Sequence, residues 1–319
     1  MTKHERVCAA VRGEETDYTP SCFSLHFPKE EAEGERAVAA HTRFFKETDT
    51  DILKIMNENL LPDVGDIRIP DDWKKIPLYS LNAPFFRKQL DMTKRILDTC
   101  GKDAFTLGTI HGICASSIHP IEHRYGYVPV RRLVCTHLRE HKQPVLDAFK
   151  RITEAMCLLA RAYIELGVDA VYYAALGAEK HFFNDEEFAE FYAPFDREIL
   201  SAVKRAGGIT FLHMCKENLD LNRYANYMPM TDVVNWGIAE TGITLEQGRK
   251  LFPNKTVLGG LANRSGVLIN GTTEEITNAV QDIIRSFGKT GFILGADCTL
   301  PTEIPYNRIY TAVTAARTK

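Results

Sequence analysis

The residues in this chain best suited to bind a soft metal ion are His213 and Cys215 in FLHMCKEN and Cys298 in ILGADCTLP. In an extended strand, positions i and i+2 project to the same side, so the imidazole and the first thiol can converge on one ion while Met214 faces away. Cys298 follows a second apolar run, ending in Gly295 and Ala296, that a sheet or barrel could bring alongside. Two thiolates and a neutral imidazole balance the charge of Zn²⁺ and leave one tetrahedral position open, the pattern of a catalytic zinc. An isolated His-x-Cys is more often core packing. What favours a site here is that both pieces sit at strand ends and neither contains the Cys-x-x-Cys of a closed structural zinc.

The elements that must position these residues alternate in period. Apolar strand-like runs occupy Pro20 to Phe27, Asp51 to Met56, Ala104 to Ile110, Val168 to Ala174, Ile209 to Cys215, Thr231 to Trp236, Thr256 to Leu261 and Gly291 to Ala296. Helical patterns lie near Glu31 to Thr48, Phe86 to Thr99, Pro144 to Leu166, Asp185 to Ala206, Leu219 to Tyr227, Leu245 to Leu251, Thr273 to Phe287 and Glu303 to Arg317. Asn184 with Glu187, Thr244 with Gln247 and Thr272 with Glu275 have the spacing of capping boxes. This alternation predicts an α/β fold, a (β/α)8 TIM barrel, with residues 1–319 forming a single domain. No Gly-rich dinucleotide fingerprint and no Walker loop is present, which removes the main support for a Rossmann or nucleotide-hydrolase reading.

Two stretches interrupt the alternation, near 60–82 and 111–143. Both are expected as loops leaving the C-terminal rim and covering its mouth. The second carries His111, His119, His123, Arg124, Tyr125, Arg131, Arg132, His137 and His141, with no spacing that resembles a second metal site.

A barrel places His213, Cys215 and Cys298 together on the C-terminal face, where such enzymes carry their chemistry. Water, substrate or a carboxylate could then fill the fourth position. Glu240 is the preferred internal carboxylate, because it follows the strand beside the one bearing His213; Asp297 is the weaker choice because side chains of neighbouring residues usually diverge. His26, Asn57, His111, Tyr172 and Asn235 fall at or just after strand ends and are candidate substrate contacts. Tyr172 is also a candidate for a catalytic part, since it can donate a hydrogen bond and pack against a ring.

Composition narrows the function classes. The chain has 319 residues, 45% apolar and 25% charged, enough for a substantial core. A net charge of −3 without a basic block argues against nucleic acid as a partner. The opening MTKHERVCAAVRGEETDY lacks an apolar signal core, and the longest apolar stretch, around Ala170 to Ala178, is too short to span a bilayer. A cytoplasmic location and no membrane partner are therefore expected. Eight dispersed cysteines fit a reducing compartment in which thiols remain available as ligands.

LHMCKENLD, VLGGLANRSGVLINGTTEEI and GFILGADCTLPTEIPYNRI resemble the C-terminal half of the uroporphyrinogen decarboxylase superfamily. His213, Cys215 and Cys298 match the His-x-Cys and distal Cys of its zinc-dependent methyltransferase branch, which includes methylcobamide:coenzyme M methyltransferases and corrinoid-linked O-demethylase methyltransferases. The similarity is clearest from about Gly167 onward and is limited earlier to phrases such as FSLHFP and TDILKIMNE. It implies zinc as cofactor and methyl transfer between a small methylated compound (methoxy, methylthio or methylamine type) and a corrinoid, with demethylation of the small compound as the expected direction. This chain has no Asp-x-His-x-x-Gly cobalamin signature, so the corrinoid is expected on a partner protein. The superfamily's decarboxylases carry an Arg-Gln-Ala-Gly-Arg run near the start. Here the matching DYTPSCFSLHFP has no arginine, the residue suited to fork-like carboxylate binding, which speaks against a porphyrinogen substrate. A metal-independent decarboxylase, or a non-catalytic module that binds zinc or a corrinoid protein, are the alternatives.

Overall fold

All eight apolar runs form strands of one parallel sheet in a computed structural model of the chain, which describes residues 1–318. They are β1 (Ser21–Cys22), β2 (Ile52–Ile55), β3 (Phe105–His111), β4 (Ala170–Ala175), β5 (Ile209–Met214), β6 (Val233–Trp236), β7 (Thr256–Leu261) and β8 (Phe292–Ala296). Consecutive strands pair from β2 to β8, and β8 pairs with β1. Between β1 and β2 the seam is closed without a ladder. The Asp51 amide donates to the Ser21 carbonyl at 3.2 Å, and the Asp51 carboxylate accepts from the Ser21 amide and hydroxyl, each at 2.9 Å. With helices between the strands, this is a single-domain (β/α)8 barrel.

Inward side chains follow the period of two. Ile52, Phe105, Leu107, Ala170, Phe211, Val233 and Ile293 fill the interior. Val7 and Ala10 of the N-terminal helix Lys3–Val11 join the same cluster and close the bottom of the barrel. The outward faces pack beneath helices that include Pro84–Cys100, Ala193–Arg205 and Thr273–Phe287.

The bottom is also stitched by a repeated polar device. An Asp preceding an even-numbered strand accepts from the amide and hydroxyl of a Ser or Thr on the odd-numbered strand before it: Asp51 on Ser21, Asp169 on Thr106 and Asp232 on Thr210. Each carboxylate satisfies two donors at a strand end and fixes the register of its pair. Asp51 also holds Arg6 at 2.8 Å, with both side chains almost fully buried, while Asp17 takes the other edge of the same guanidinium.

Several expectations are corrected. β1 is only two residues long, where a run to Phe27 was expected. Pro20 offers no amide, and beyond Cys22 the chain leaves the ladder except for an isolated bridge between Leu25 and Leu300. The 111–143 stretch is helical: Ile113–Ile118, Glu122–Tyr125 and the start of Tyr127–Glu165. That long helix breaks at His141 (φ −155°, ψ 83°), three residues before Pro144, whose ring cannot follow a regular helical turn. The 60–82 stretch packs on this long helix, where Trp73 donates to His137 at 3.0 Å and Arg151 donates to the Ile76 carbonyl at 2.6 Å. The Asp185 to Ala206 pattern divides at Tyr192 into Asp185–Phe191 and Ala193–Arg205, and the segment before β6 is a 3-10 helix, Leu221–Met230. The N-terminal helix, capped by Thr2 and Glu5, was not anticipated. All three expected capping boxes are present.

Asp51→Ala should destabilise the barrel by about 3 kcal/mol, because it leaves the buried Arg6 with one carboxylate, the half-exposed Asp17, and opens the β1–β2 seam. Urea unfolding of the variant measures this. A change below about 0.5 kcal/mol, the range of ordinary surface substitutions, would remove the seam role assigned to Asp51.

Candidate metal centre

Above the inner core the same alternation turns polar. On β5, Phe211 belongs to the apolar interior and His213 lies one inward position higher; on β2, Lys54 follows Ile52; on β4, Tyr172 follows Ala170. Parallel register sets His213 opposite Ala174 of β4 and Asn235 of β6. Cys215 continues the period past the end of β5 and is pinned by its amide donating to the Ala175 carbonyl at 3.1 Å. Cys298 lies two residues beyond β8, after Asp297, whose amide donates to the Leu261 carbonyl at 2.8 Å.

These elements gather the three expected ligands. One ligand atom from each of His213, Cys215 and Cys298 lies within 4.8 Å of the others, and the two sulfurs are 3.9 Å apart. A disulfide needs about 2.05 Å. Two sulfurs each about 2.3 Å from a tetrahedral ion would lie roughly 3.8 Å apart, so the pair is spaced as metal ligands. His213 is 2% exposed, and neither of its ring nitrogens has a hydrogen-bond partner. Burying an imidazole without a partner is costly, and an ion between it and the sulfurs removes that cost. The close contact between the two sulfurs pushes the Cys215 thiol up and draws the Cys298 thiol down. The residues therefore fit a divalent ion that accepts nitrogen and sulfur ligands.

The supports of the centre extend across the barrel. Tyr172 stacks on His213 with ring centroids 5.3 Å apart. Its hydroxyl donates to Asn235 at 2.9 Å, and the Asn235 amide group donates to the Leu258 and Ala296 carbonyls at 2.9 and 3.2 Å. A chain of contacts thus ties β4 and β6 to β7 and β8 and fixes the ring against which the imidazole rests. Lys216 and Asn218, just after Cys215, have positive φ values of 93° and 56°. That backbone is held by the Lys180 amide on the Asn218 carbonyl and by a bridge between Glu179 and Leu219. Glu179 is itself anchored by a buried ion pair with Arg131 at 2.6 Å.

The three candidate ligands open onto a cavity of about 380 Å³ at the C-terminal mouth. His26, His111, Tyr172 and Glu240, among the sequence candidates, also line it. His26 holds Glu58 at 2.6 Å. His111 meets His119 edge to face at 4.9 Å; burial brings their pKa values down to about 3 and about 4, so both are neutral at pH 7. Glu240 lies on the short helix Ile238–Thr241 with its carboxylate folded back over Gly237, outside the three-ligand cluster, and its pKa is raised by partial burial. Asp297 turns away to accept from the Ala239 amide at 3.1 Å, and burial raises its pKa to about 6. Asn57 is not on the lining; it accepts from the Asn59 amide at 3.1 Å. Asn235 is also off the lining and acts through Tyr172.

Sequence reasoning missed Lys54, His119, Glu122 and Tyr127 on this lining. For Lys54 a signal existed: a lysine two residues after Ile52 within an apolar strand points inward. Lys54 is 7% exposed, lies 3.4 Å over the Tyr172 ring and donates to the Ser24 hydroxyl at 3.2 Å. Burial lowers its pKa to about 8.

A buried ammonium of depressed pKa costs stability while it is charged. That cost is present in full below about pH 8 and disappears as the pH passes about 10.5, where the unfolded chain also loses the proton. Lys54→Met should therefore stabilise the protein at pH 7 by on the order of 1–3 kcal/mol, and the advantage should shrink by pH 10. Thermal unfolding of both proteins at equal metal content measures the difference. A variant less stable at pH 7 would show that Lys54 is compensated where it lies.

A profile of the uroporphyrinogen decarboxylase family matches residues 59–319. Among curated proteins, none matches the sequence. Solved structures share the fold at low identity. A methyltransferase from Methanosarcina mazei superposes with a TM-score of 0.79 at 16% identity, covering 99% of this chain and 98% of that one. A B12-independent methionine synthase from Shewanella sp. W3-18-1, in complex with selenomethionine, gives 0.60 at 12% identity, covering 95% and 97%. A structure described as a vitamin-B12-independent methionine synthase from Listeria monocytogenes gives 0.53 at 11% identity, covering 94% and 96%. With the profile spanning most of its length and a barrel to match, this chain belongs to the uroporphyrinogen decarboxylase family.

Proposed function

We propose that this protein is a zinc-dependent methyltransferase that moves a methyl group between a small methylated compound and a corrinoid carried by a partner protein. The observation that carries the reading is the buried imidazole of His213, unpartnered and converging with two thiols at the floor of the barrel mouth. Family membership supports it, as does the methyltransferase among the proteins of similar fold. A zinc bound there would supply Lewis acidity to a sulfur or oxygen leaving group, or lower the pKa of a thiol acceptor.

The chain's own residues have separable parts in this reading. His213, Cys215 and Cys298 hold the ion, and Tyr172 and Asn235 hold the imidazole in register. Glu240 lines the same cavity and would be the carboxylate available to the fourth position when substrate is absent. His111 and His119, neutral at pH 7, can donate or accept hydrogen bonds to the polar part of a substrate without adding charge. The decarboxylase reading loses support at the chain's beginning, where Asp17 to Pro28 has no arginine to grip a polycarboxylate.

The test is a screen of methoxylated, methylthiolated and methylaminated compounds with cob(I)alamin, following its absorption for methylation. Transfer should require zinc, stop with chelator and return on zinc addition. Circular dichroism should keep most of its helical signal throughout, since a barrel of this size has core enough without the ion. Transfer by metal-free protein would remove zinc from the mechanism. Glu240→Gln should retain about one zinc per chain, because three protein ligands remain. Loss of the ion in that variant would make Glu240 a required ligand.

A further inference from the structure

Six side chains of Lys, Arg, Asp or Glu line the cavity: Lys54, Glu122, Lys216, Glu217, Glu240 and Arg264. Five are partly or fully exposed, where water screens them; only Lys54 is buried. Its ammonium has three donors, and the protein engages them with one hydroxyl and one aromatic face. No carboxylate lies within 4.0 Å of it among the described residues. A zinc held by His213, Cys215 and Cys298 would not provide the missing charge either, since two thiolates would cancel the dication. A buried ammonium beside a cavity, short of both a counter-charge and acceptors, is matched by a ligand that brings them.

We infer that Lys54 is the charge-selecting residue of this cavity: it receives an oxyanion, carboxylate or sulfonate, on the non-reacting end of the substrate. The inference rests on the proposed reading that the cavity takes a small methylated compound, and it narrows that class. A methylammonium compound would meet the buried positive charge, and the Tyr172 face that could have attracted it is already covered by Lys54. A neutral methoxy compound would leave the ammonium unpaired. An anionic one satisfies it while its methyl group reaches toward His213, Cys215 and Cys298.

The experiment is calorimetric titration of zinc-loaded protein, without corrinoid, with three matched probes: methoxyacetate, methoxyacetamide and methoxyethylammonium. Wild type should bind the anion about ten- to a hundredfold more tightly than the amide, the worth of a charged hydrogen bond in a dry site, and should bind the cation most weakly. Lys54→Met should erase the difference between anion and amide, and Lys54→Arg should keep part of it. Equal binding of anion and amide by wild type, discrimination that survives in Lys54→Met, or no binding of any probe overturns the inference. Cob(I)alamin methylation measured separately keeps the two readings distinct. Lys54-dependent anion binding without methyl transfer would defeat the proposed function alone, and transfer from neutral compounds that is indifferent to Lys54→Met would defeat this inference alone.

Discussion

The unsatisfied imidazole of His213 is the constraint around which the upper barrel is arranged. The ladders on both sides of β5 fix where the ring stands, Tyr172 fixes its plane, and neither nitrogen is given a protein partner. In a dry interior that would be a defect. Two thiols at a metal-ligand spacing from each other make it a candidate binding site. The strands are positioned by closure of the whole sheet, and that closure brings the three side chains together.

The same economy runs through the support of the site. Asn235 looked from its place at a strand end like a substrate contact, yet its three hydrogen bonds are all internal, to Tyr172 and to backbone carbonyls of β7 and β8. Its work is to hold the hydroxyl of Tyr172 down and leave the ring against His213 and Lys54. Cys298 is linked to the Glu240 helix in a similar way, through Asp297, which bonds that helix on one side and β7 on the other. Displacing either element would therefore disturb the ligands and the candidate fourth carboxylate together.

Much of this was legible in the sequence. Strands buried on both faces read as unbroken apolar runs, so all eight could be located, and capping boxes are local enough to mark helix starts. The His-x-Cys motif stands out because the period of two assigns both side chains to one face. What was hidden depends on partners far away in the chain. Asp51, Asp169 and Asp232 resemble turn residues until each is seen bonded to a hydroxyl 30, 63 or 22 positions away. The 111–143 stretch has the polar composition of a loop, and its helices gain stability by packing on one another and on the segment containing Trp73. The inward direction of Lys54 could be read from its place two residues after Ile52, while its closeness to the Tyr172 ring depends on a strand more than a hundred positions away.

X-ray absorption at the zinc edge of protein loaded with one equivalent of the metal tests the central claim most directly. The account predicts two sulfur scatterers at about 2.3 Å with the remaining shell of nitrogen and oxygen, and one sulfur fewer in Cys298→Ala. A first shell without sulfur, or an unchanged sulfur count in the variant, would contradict it.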